Sequence, residues 1–338
     1  SGKWGRTGGT RVAAFEEQFA QKMQARFCVA TSSGTTALVS ALGALDLGPG
    51  DEVILPPYTF VATFNVITMH YALPVFVDTD RDTFQIDPTK IAAAITPNTK
   101  LLLPVHIGGG VADMDAIEAI ARRRNIPVVA DACQAHLSEW RGRPVGTQGI
   151  GGCFSFQATK NMPAGEGGAI VTNDEAFAQR CFNFHTPTSH KPAPTSGRGA
   201  NFRMTEFQAG LLMVQLSRLE EQTRTRDSNA AYLTEMLDKI SGVTPVRPAS
   251  GCTRNAHHMY MLRYDTRQFA NLPRAKFLEL LNKAGIGASS PYTPLNKTPH
   301  VMAITTNRHY LRLYGKKTMA EWAERNRCPN NDRVCEVA

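Results

Sequence analysis

The chain lacks the features that mark several large protein classes. Its 338 residues include seven cysteines, an odd number. They fall at 28, 133, 153, 181, 252, 328 and 335, and no two have C-x-x-C spacing. That argues against a disulfide framework and a zinc ribbon, and it suits a reducing cytoplasm. No uninterrupted apolar run approaches the length of a membrane span, so no membrane partner is expected. The opening SGKWGRTGGT has no apolar signal-peptide core, and its missing Met implies a trimmed start. No internal repeat or low-complexity stretch is present. A dinucleotide-binding oxidoreductase would need G-x-G-x-x-G after its first strand. Gly146-Thr147-Gln148-Gly149-Ile150-Gly151 has the wrong spacing and precedes a strand.

What is present is the composition of a globular protein. Hydrophobic residues make up 42% and charged residues 20%, which excludes a disordered or collagen-like chain. The length suits one large α/β domain and a smaller one. The formal charge of +8 is unevenly placed. Residues 251–338 carry 14 Lys/Arg against 6 Asp/Glu, leaving 23 of each sign in the first 250. These basic side chains are scattered (Arg254, Arg263, Arg267, Arg274, Lys276, Lys283), with only Lys316-Lys317 adjacent. They form no stripe for nucleic acid. Steering of anionic ligands is a use that fits them.

Short β-rich runs alternate with helical patterns. Strands are expected at Glu52 to Leu55, Pro74 to Val77, Leu101 to Val105, Pro127 to Ala130, Gly152 to Phe156 and Ala169 to Thr172. Helices are expected at Thr35 to Leu45, Phe60 to His70, Asp115 to Arg124 and Asp174 to Phe184. The alternation predicts a mostly parallel sheet covered on both faces. Thr205-Glu206-Phe207-Gln208 has capping-box form and opens a long helix to about Ile240. Pro245 and Pro248 mark the passage from a large domain (1–245) to a small α+β domain (246–338). There, His258 to Tyr264 reads as a strand and Pro273 to Ala284 as a helix ended by Gly285.

Three features carry chemistry. In Ser32-Ser33-Gly34-Thr35-Thr36, a small-residue loop opens directly into a helix, whose free N–H groups attract an anion. Taken alone, such residues are also ordinary helix caps. Asp131 ends the strand at Pro127 to Ala130, on the edge where open α/β sheets bind ligands. A carboxylate there can hold a protonated ring nitrogen, although Asp is also a common cap in a βα turn. Gln134 and His136 follow it closely. Lys160 sits just past the strand ending in Phe156. A desolvated lysine amine forms Schiff bases with carbonyls, whereas most lone lysines are solvated surface groups. Anion seat, acid and lysine in this order match the needs of pyridoxal 5'-phosphate (PLP).

The sequence resembles the PLP-dependent sugar and cyclitol aminotransferases of fold-type I, the DegT/DnrJ/EryC1/StrS group. The resemblance runs nearly end to end through SSGTTAL, GDEVILPPYTF, VFVDTDRDTFQIDP, ITPNTK, PVHIGGGVADMDAI, DACQAH, CFSFQATKNM and NFRMTEFQA. It implies that Lys160 is the Schiff-base lysine and that Asp131 pairs with the pyridinium nitrogen. Phe60 stacks on the ring, and Gln134 lies near the ring oxygen. Gly34, Thr35, Thr36 and Ser155 hold the phosphate. Asn201 falls where the family takes an Asn from the neighbouring subunit, which implies a homodimer with shared sites. His136 and Tyr292 are expected on the substrate side. Without the resemblance, Phe60 reads as a core aromatic and Asn201 as a turn residue.

The AGEGG turn after the lysine resembles the scyllo-inosose aminotransferases and aminohydroxybenzoate synthases. Gln134, where the synthases often carry His, and Pro291-Tyr292-Thr293-Pro294-Leu295-Asn296 favour the aminotransferases. Ping-pong transfer is therefore expected, from glutamate or glutamine to a keto-sugar or ketocyclitol, in the making of an amino sugar, aminocyclitol or related secondary metabolite. The rivals are an aromatising benzoate synthase, a sugar dehydratase and a silent binding module. The dehydratases replace the lysine with His, so Lys160 disfavours them, and intact Lys160 and Asp131 disfavour the silent module. The family continues with a further strand and helix, so the small domain is expected to lack its closing segment here.

Overall fold

The computed structural model describes residues 2–6, 8–186, 197–290 and 292–338. Pro291, of the substrate-side segment, lies outside them. The first two elements, α1 (Arg11–Lys22) and β1 (Phe27–Thr31), are absent from the sequence expectations. Helix α1 buries Val12, Phe15 and Phe19. Its free N–H groups are met from far along the chain. Glu206 accepts from the backbone N of Thr10 (2.8 Å), Arg11 (2.7 Å) and Val12 (3.0 Å). A carboxylate at a helix N-terminus satisfies those donors and complements the dipole.

Then α2 (Gly34–Ala44), β2 (Glu52–Leu55), α3 (Ala62–Met69), β3 (Leu73–Phe76), α4 (Pro88–Ala94), β4 (Thr99–Leu102), α5 (Met114–Arg124) and β5 (Val129–Asp131) alternate, and of these only α4 is not expected from the sequence. Two short strands, β6 (Glu139–Trp140) and β7 (Arg143–Pro144), form a surface ribbon. They lead to β8 (Gly151–Ser155), β9 (Gly168–Thr172) and α6 (Glu175–His185). Element ends shift by a few residues from the sequence reading.

The strands run β1-β9-β8-β5 and β3-β2-β4. Parallel bridges from Leu102 to Val128 and from Val105 to Asp131 join the two groups into one surface. Only β9 runs antiparallel to its neighbours. Strands β2, β3, β5 and β8 are buried throughout, as a sheet covered on both faces requires. The reversal of β9 matters for the site. It places Gly168 opposite both Thr31 and Ser155, so the start of β9 meets the ends of β1 and β8.

Helix α7 (Glu206–Leu237) begins at the expected capping box and stops three residues before Ile240. Thr205 Oγ1 accepts from Gln208 N, and Gln208 Oε1 accepts from Thr205 N at 2.9 Å. Leu212, Leu216 and Leu219 face the core, while Phe207, Leu211 and Val214 are exposed. Beyond it, β10 (Val243–Pro245), β11 (Cys252–Arg254) and β12 (Leu262–Tyr264) precede α8 (Arg274–Lys283), and Gly285 ends that helix with φ +82. The strand expected from His258 is confined to Leu262–Tyr264, which pairs with β10. Its first residues are diverted. Ala256 N and Met259 N donate to Gly109 O and Gly108 O instead of to a neighbouring strand.

The last elements, α9 (Pro299–Met302), α10 (Arg308–Arg325) and α11 (Pro329–Val337), return to the large sheet. Tyr310 Oη donates to Ala72 O (2.8 Å) and Trp322 Nε1 to Pro74 O (2.6 Å). Arg325 pairs with the buried Glu52 at 2.7 Å. Asp78 accepts from Asn330 N and Asn331 N and caps α11. Trp322 therefore anchors the C-terminal helices to β3. Trp322→Ala is expected to destabilise the fold by ~3–5 kcal/mol, as large-to-small changes at buried aromatics do. Urea unfolding followed by far-UV circular dichroism measures the loss.

Candidate active site

The anion seat is built by close backbone packing. Helix α2 starts at Gly34, with Ser33 as its cap. Ser33 Oγ accepts from Thr36 N (3.1 Å), and Thr36 Oγ1 accepts from Ser33 N (2.9 Å). Thr36 thus spends its amide and hydroxyl on the cap. Of the expected phosphate groups in this loop, the first-turn N–H groups of Gly34 and Thr35 remain unspent by that cap. The turn is tight. A Cβ on Gly34 would lie 2.5 Å from Ser155 Cβ and 3.0 Å from Cys133 Sγ. A Cβ on Gly168 would lie 2.1 Å from Ser33 O. Three elements converge here, and only glycine lets their backbones close. Ser155, at the end of β8, is buried beside them.

Asp131 is 6% exposed and ends β5. Its carboxylate accepts from Thr63 Oγ1 (2.8 Å) and Cys133 N (3.2 Å). Thr63 is steadied by Thr59 at 2.8 Å. Among the described residues no cation pairs with Asp131. A buried carboxylate without a positive partner is costly, so the site is prepared for one. Cys133 lies nearby. Burial first, then the Asp131 charge, pushes its thiol well up, while Lys160 opposes them. The acid and the lysine therefore flank one thiol.

Lys160 lies in the closed loop between β8 and β9. Its N–H donates to Gln157 O (2.9 Å), and Gln157 Oε1 accepts from Thr159 N (2.8 Å). The loop is tied across by Ala158 N to Gly165 O and Phe156 N to Gly167 O. The Lys160 amine has no hydrogen-bond partner among the described residues. Backbone ties fix the loop and leave the amine available.

The remaining expected residues fall in several places. Phe60 is 59% exposed just before α3, so it is no core aromatic. Gln134 is buried and oriented by its neighbours. Its Oε1 accepts from Gly108 N (2.8 Å), so its NH2 must face the site, where it donates to Tyr292 Oη (2.8 Å). Gly108 has φ +67, and a Cβ there would strike Met261 at 2.6 Å. His136 is fully buried, packed on Phe154 and Phe156 with ring centroids 5.6 Å away. That sets it behind the site, in the core, rather than on a substrate face. Asn201 is exposed, and the carbonyl of its neighbour Phe202 accepts from Ser32 N (2.8 Å). Thr63, Gly168 and the 255–259 strap were not legible as site components. Nothing in their local sequence reports a partner 68 or more residues away.

A backbone anion seat, a buried unpaired carboxylate and an unpartnered lysine on one sheet edge fit PLP, and such a site on a fold-type I sheet defines a PLP enzyme. The model of the DegT/DnrJ/EryC1/StrS aminotransferase family matches residues 1–320, and the chain belongs to that family. It is a PLP-dependent aminotransferase. It is 35% identical to the 3-amino-5-hydroxybenzoate synthase of Amycolatopsis mediterranei, over 98% of this chain and 84% of that protein. It is 36% identical to the L-glutamine:2-deoxy-scyllo-inosose aminotransferase of Streptoalloteichus tenebrarius, over 92% of this chain and 77% of that one. The crystal structure of 3-amino-5-hydroxybenzoic acid synthase superposes with a TM-score of 0.85 at 35% identity, covering 99% of this chain and 86% of that one. The crystal structure of S. venezuelae DesV in complex with a ketimine intermediate superposes with a TM-score of 0.83 at 30% identity, covering 99% of this chain and 89% of that one. Among the described residues no helix is long and apolar enough to cross a membrane.

The Gly168 contact generates a test. Gly168→Ala drives a methyl group into Ser33 O and displaces the seat. PLP affinity is expected to fall at least about tenfold, equivalent to ~1.4 kcal/mol. Titration of cofactor-free protein with PLP measures it.

Proposed function

We propose that the protein transfers an amino group from glutamine or glutamate to a keto-sugar or ketocyclitol by a ping-pong mechanism. The observation that carries the reading is the unpartnered Lys160 amine on the same edge as the unpaired Asp131 carboxylate. PLP, when bound, supplies an electron-accepting ring. Asp131, held by Thr63, keeps a proton on the ring nitrogen. The seat around Gly34, Thr35, Ser155 and Gly168 takes the phosphate. The exposed Phe60 would hold the ring from one side. Lys160 holds the cofactor and, when free, moves a proton at the reacting carbon as base and then acid. Gln134 presents its NH2 to the ring oxygen and to Tyr292. Similarity to the L-glutamine:2-deoxy-scyllo-inosose aminotransferase supports glutamine as the donor.

A homodimer belongs to this reading. Trp4 stacks on Phe207 at 5.0 Å, and with Leu211 and Val214 the pair forms an exposed apolar face on α7. Such a face suits a second copy, which would also bring in the exposed Asn201. A second reading, an aromatising synthase, is favoured by the 35% identity over 98% of the chain to the benzoate synthase. A non-aromatic amino sugar or aminocyclitol product supports the first reading, and an aromatic amino acid product supports the second.

Lys160→Ala is expected to abolish turnover while leaving circular dichroism and the unfolding transition unchanged. Full activity in that variant sinks the proposal. Val214→Glu is expected to shift a native dimer toward monomer in sedimentation velocity. A native protein that sediments as a monomer contradicts the dimer.

A further inference from the structure

Residues 255–259 run beside the lysine loop as a strap tied at the N–H groups of Ala256, His257 and Met259 and at the Ala256 carbonyl. Ala256 is the hub. Its N–H is shared between Ser138 Oγ (3.0 Å) and Gly109 O (3.2 Å). Its carbonyl accepts from two sides, from Asn161 Nδ2 (2.8 Å) and from Arg226 Nε (3.2 Å). Asn161 is the residue after Lys160, and Arg226 projects from α7. Beyond the hub, Met259 N donates to Gly108 O (3.1 Å). The chain between these ties takes a left-handed step at His257, φ +46, which is uncommon for a non-glycine residue. The underlying turn admits no side chain. A Cβ on Gly109 would lie 2.8 Å from His257 N and 3.0 Å from Ala256 Cβ. Such packing gives His258 a fixed place beside the lysine loop.

The chemistry of that place is specific. His257 faces away, toward Asp227 at 3.7 Å. His258 is half-buried, and its ring has no hydrogen-bond partner among the described residues. Burial first, then the charges of Lys160 and Arg226, lower its pKa to about 4. His136, in the core behind the site, is kept neutral by burial first and then by the Lys160 charge, with a pKa of about 3. At neutral pH, His258 is thus an uncharged imidazole on the strap that Asn161, the residue after Lys160, ties down, and the Lys160 amine also lacks a partner among the described residues. A neutral imidazole offers one lone-pair nitrogen to an N–H donor.

We propose that His258 is a positioning residue that accepts a hydrogen bond from the Lys160 nitrogen and sets its orientation for proton transfer. The inference rests on the assignment of Lys160 as the cofactor lysine. It does not require His258 to touch substrate or to change protonation state. Arg226 serves it indirectly, by fixing the strap and by disfavouring the imidazolium.

A hydrogen bond accepted from a protonated nitrogen favours the protonated form and raises its pKa. Removing the acceptor must lower it. The test uses the PLP-loaded enzyme and follows the pH midpoint of its visible absorption band. In His258→Leu or His258→Met the midpoint is expected to fall by about one pH unit, the size of one charge-assisted hydrogen bond. Their kcat is expected to fall about 10²-fold with KM little changed, as loss of orientation does. His258→Gln, whose amide oxygen can accept the same bond, is expected to recover most of both. A midpoint that stays or rises in the apolar variants overturns the inference, and a rise would mean that His258 acts as a cation. Glutamine behaving like leucine also overturns it. If the native enzyme shows no visible band, the Lys160 assignment fails and the inference falls with it. A native band unmoved by the apolar variants sinks the His258 inference alone.

Discussion

The buried Asp131 carboxylate is the constraint on which the site depends. It lies at the end of β5 with two hydrogen-bond donors and no cation among the described residues. A charge left that way lowers stability unless a positive partner arrives. The protonated nitrogen of PLP is such a partner. The geometry around Asp131 therefore couples cofactor binding to the order of the sheet edge. Thr63 reaches it from α3, Cys133 from the following turn, and the backbone of β4 flanks it through Val105.

The second dependence is steric. The anion seat exists because α2, β8 and β9 approach to distances that only glycine allows at 34 and 168. The antiparallel β9 is what brings Gly168 there, since it starts where β1 and β8 end. A fully parallel sheet would deliver a strand terminus of the wrong sense to this edge. The Gly108–Gly109 turn repeats the device on the other side. It admits the strap, orients Gln134 and so links Tyr292 to the cofactor side. Two glycine-dependent contacts, one under the start of α2 and one under the strap, frame the lysine loop.

Much of this was legible in the sequence. The alternation of apolar runs predicted the sheet and its covering helices, and Thr205 with Gln208 marked the start of α7 to the residue. Asp131 and Lys160 stood out at or just past the end of an expected strand, and the Ser33–Gly34 turn stood out where a small-residue loop opens into a helix. Other parts were not readable, for physical reasons. Strand β1 is five residues beside a loop, and its edge partner β9 lies more than a hundred residues on. His258 reads as the start of a strand because HMYMLRY is apolar and aromatic. Tertiary ties to Gly108 and Gly109 override that local preference. His136 reads as a site residue from its spacing to Asp131, yet its ring turns into the aromatic core. Local pattern reports which groups are available, whereas long-range packing decides which of them face the ligand.

The basic excess in residues 251–338 gains a context from the structure. Several of its members are engaged in ion pairs, as Arg254 is with Glu220, Arg263 with Asp82 and Arg325 with Glu52. They tie the C-terminal segments together and onto the large layer, which accounts for their scatter along the sequence. The most direct measurement of the central claim is the visible spectrum of the PLP-loaded protein before and after addition of glutamine or glutamate. The account predicts a yellow band from the Lys160-linked cofactor that bleaches with one of these donors. A protein that takes up no PLP, or whose band is indifferent to both donors, would contradict it.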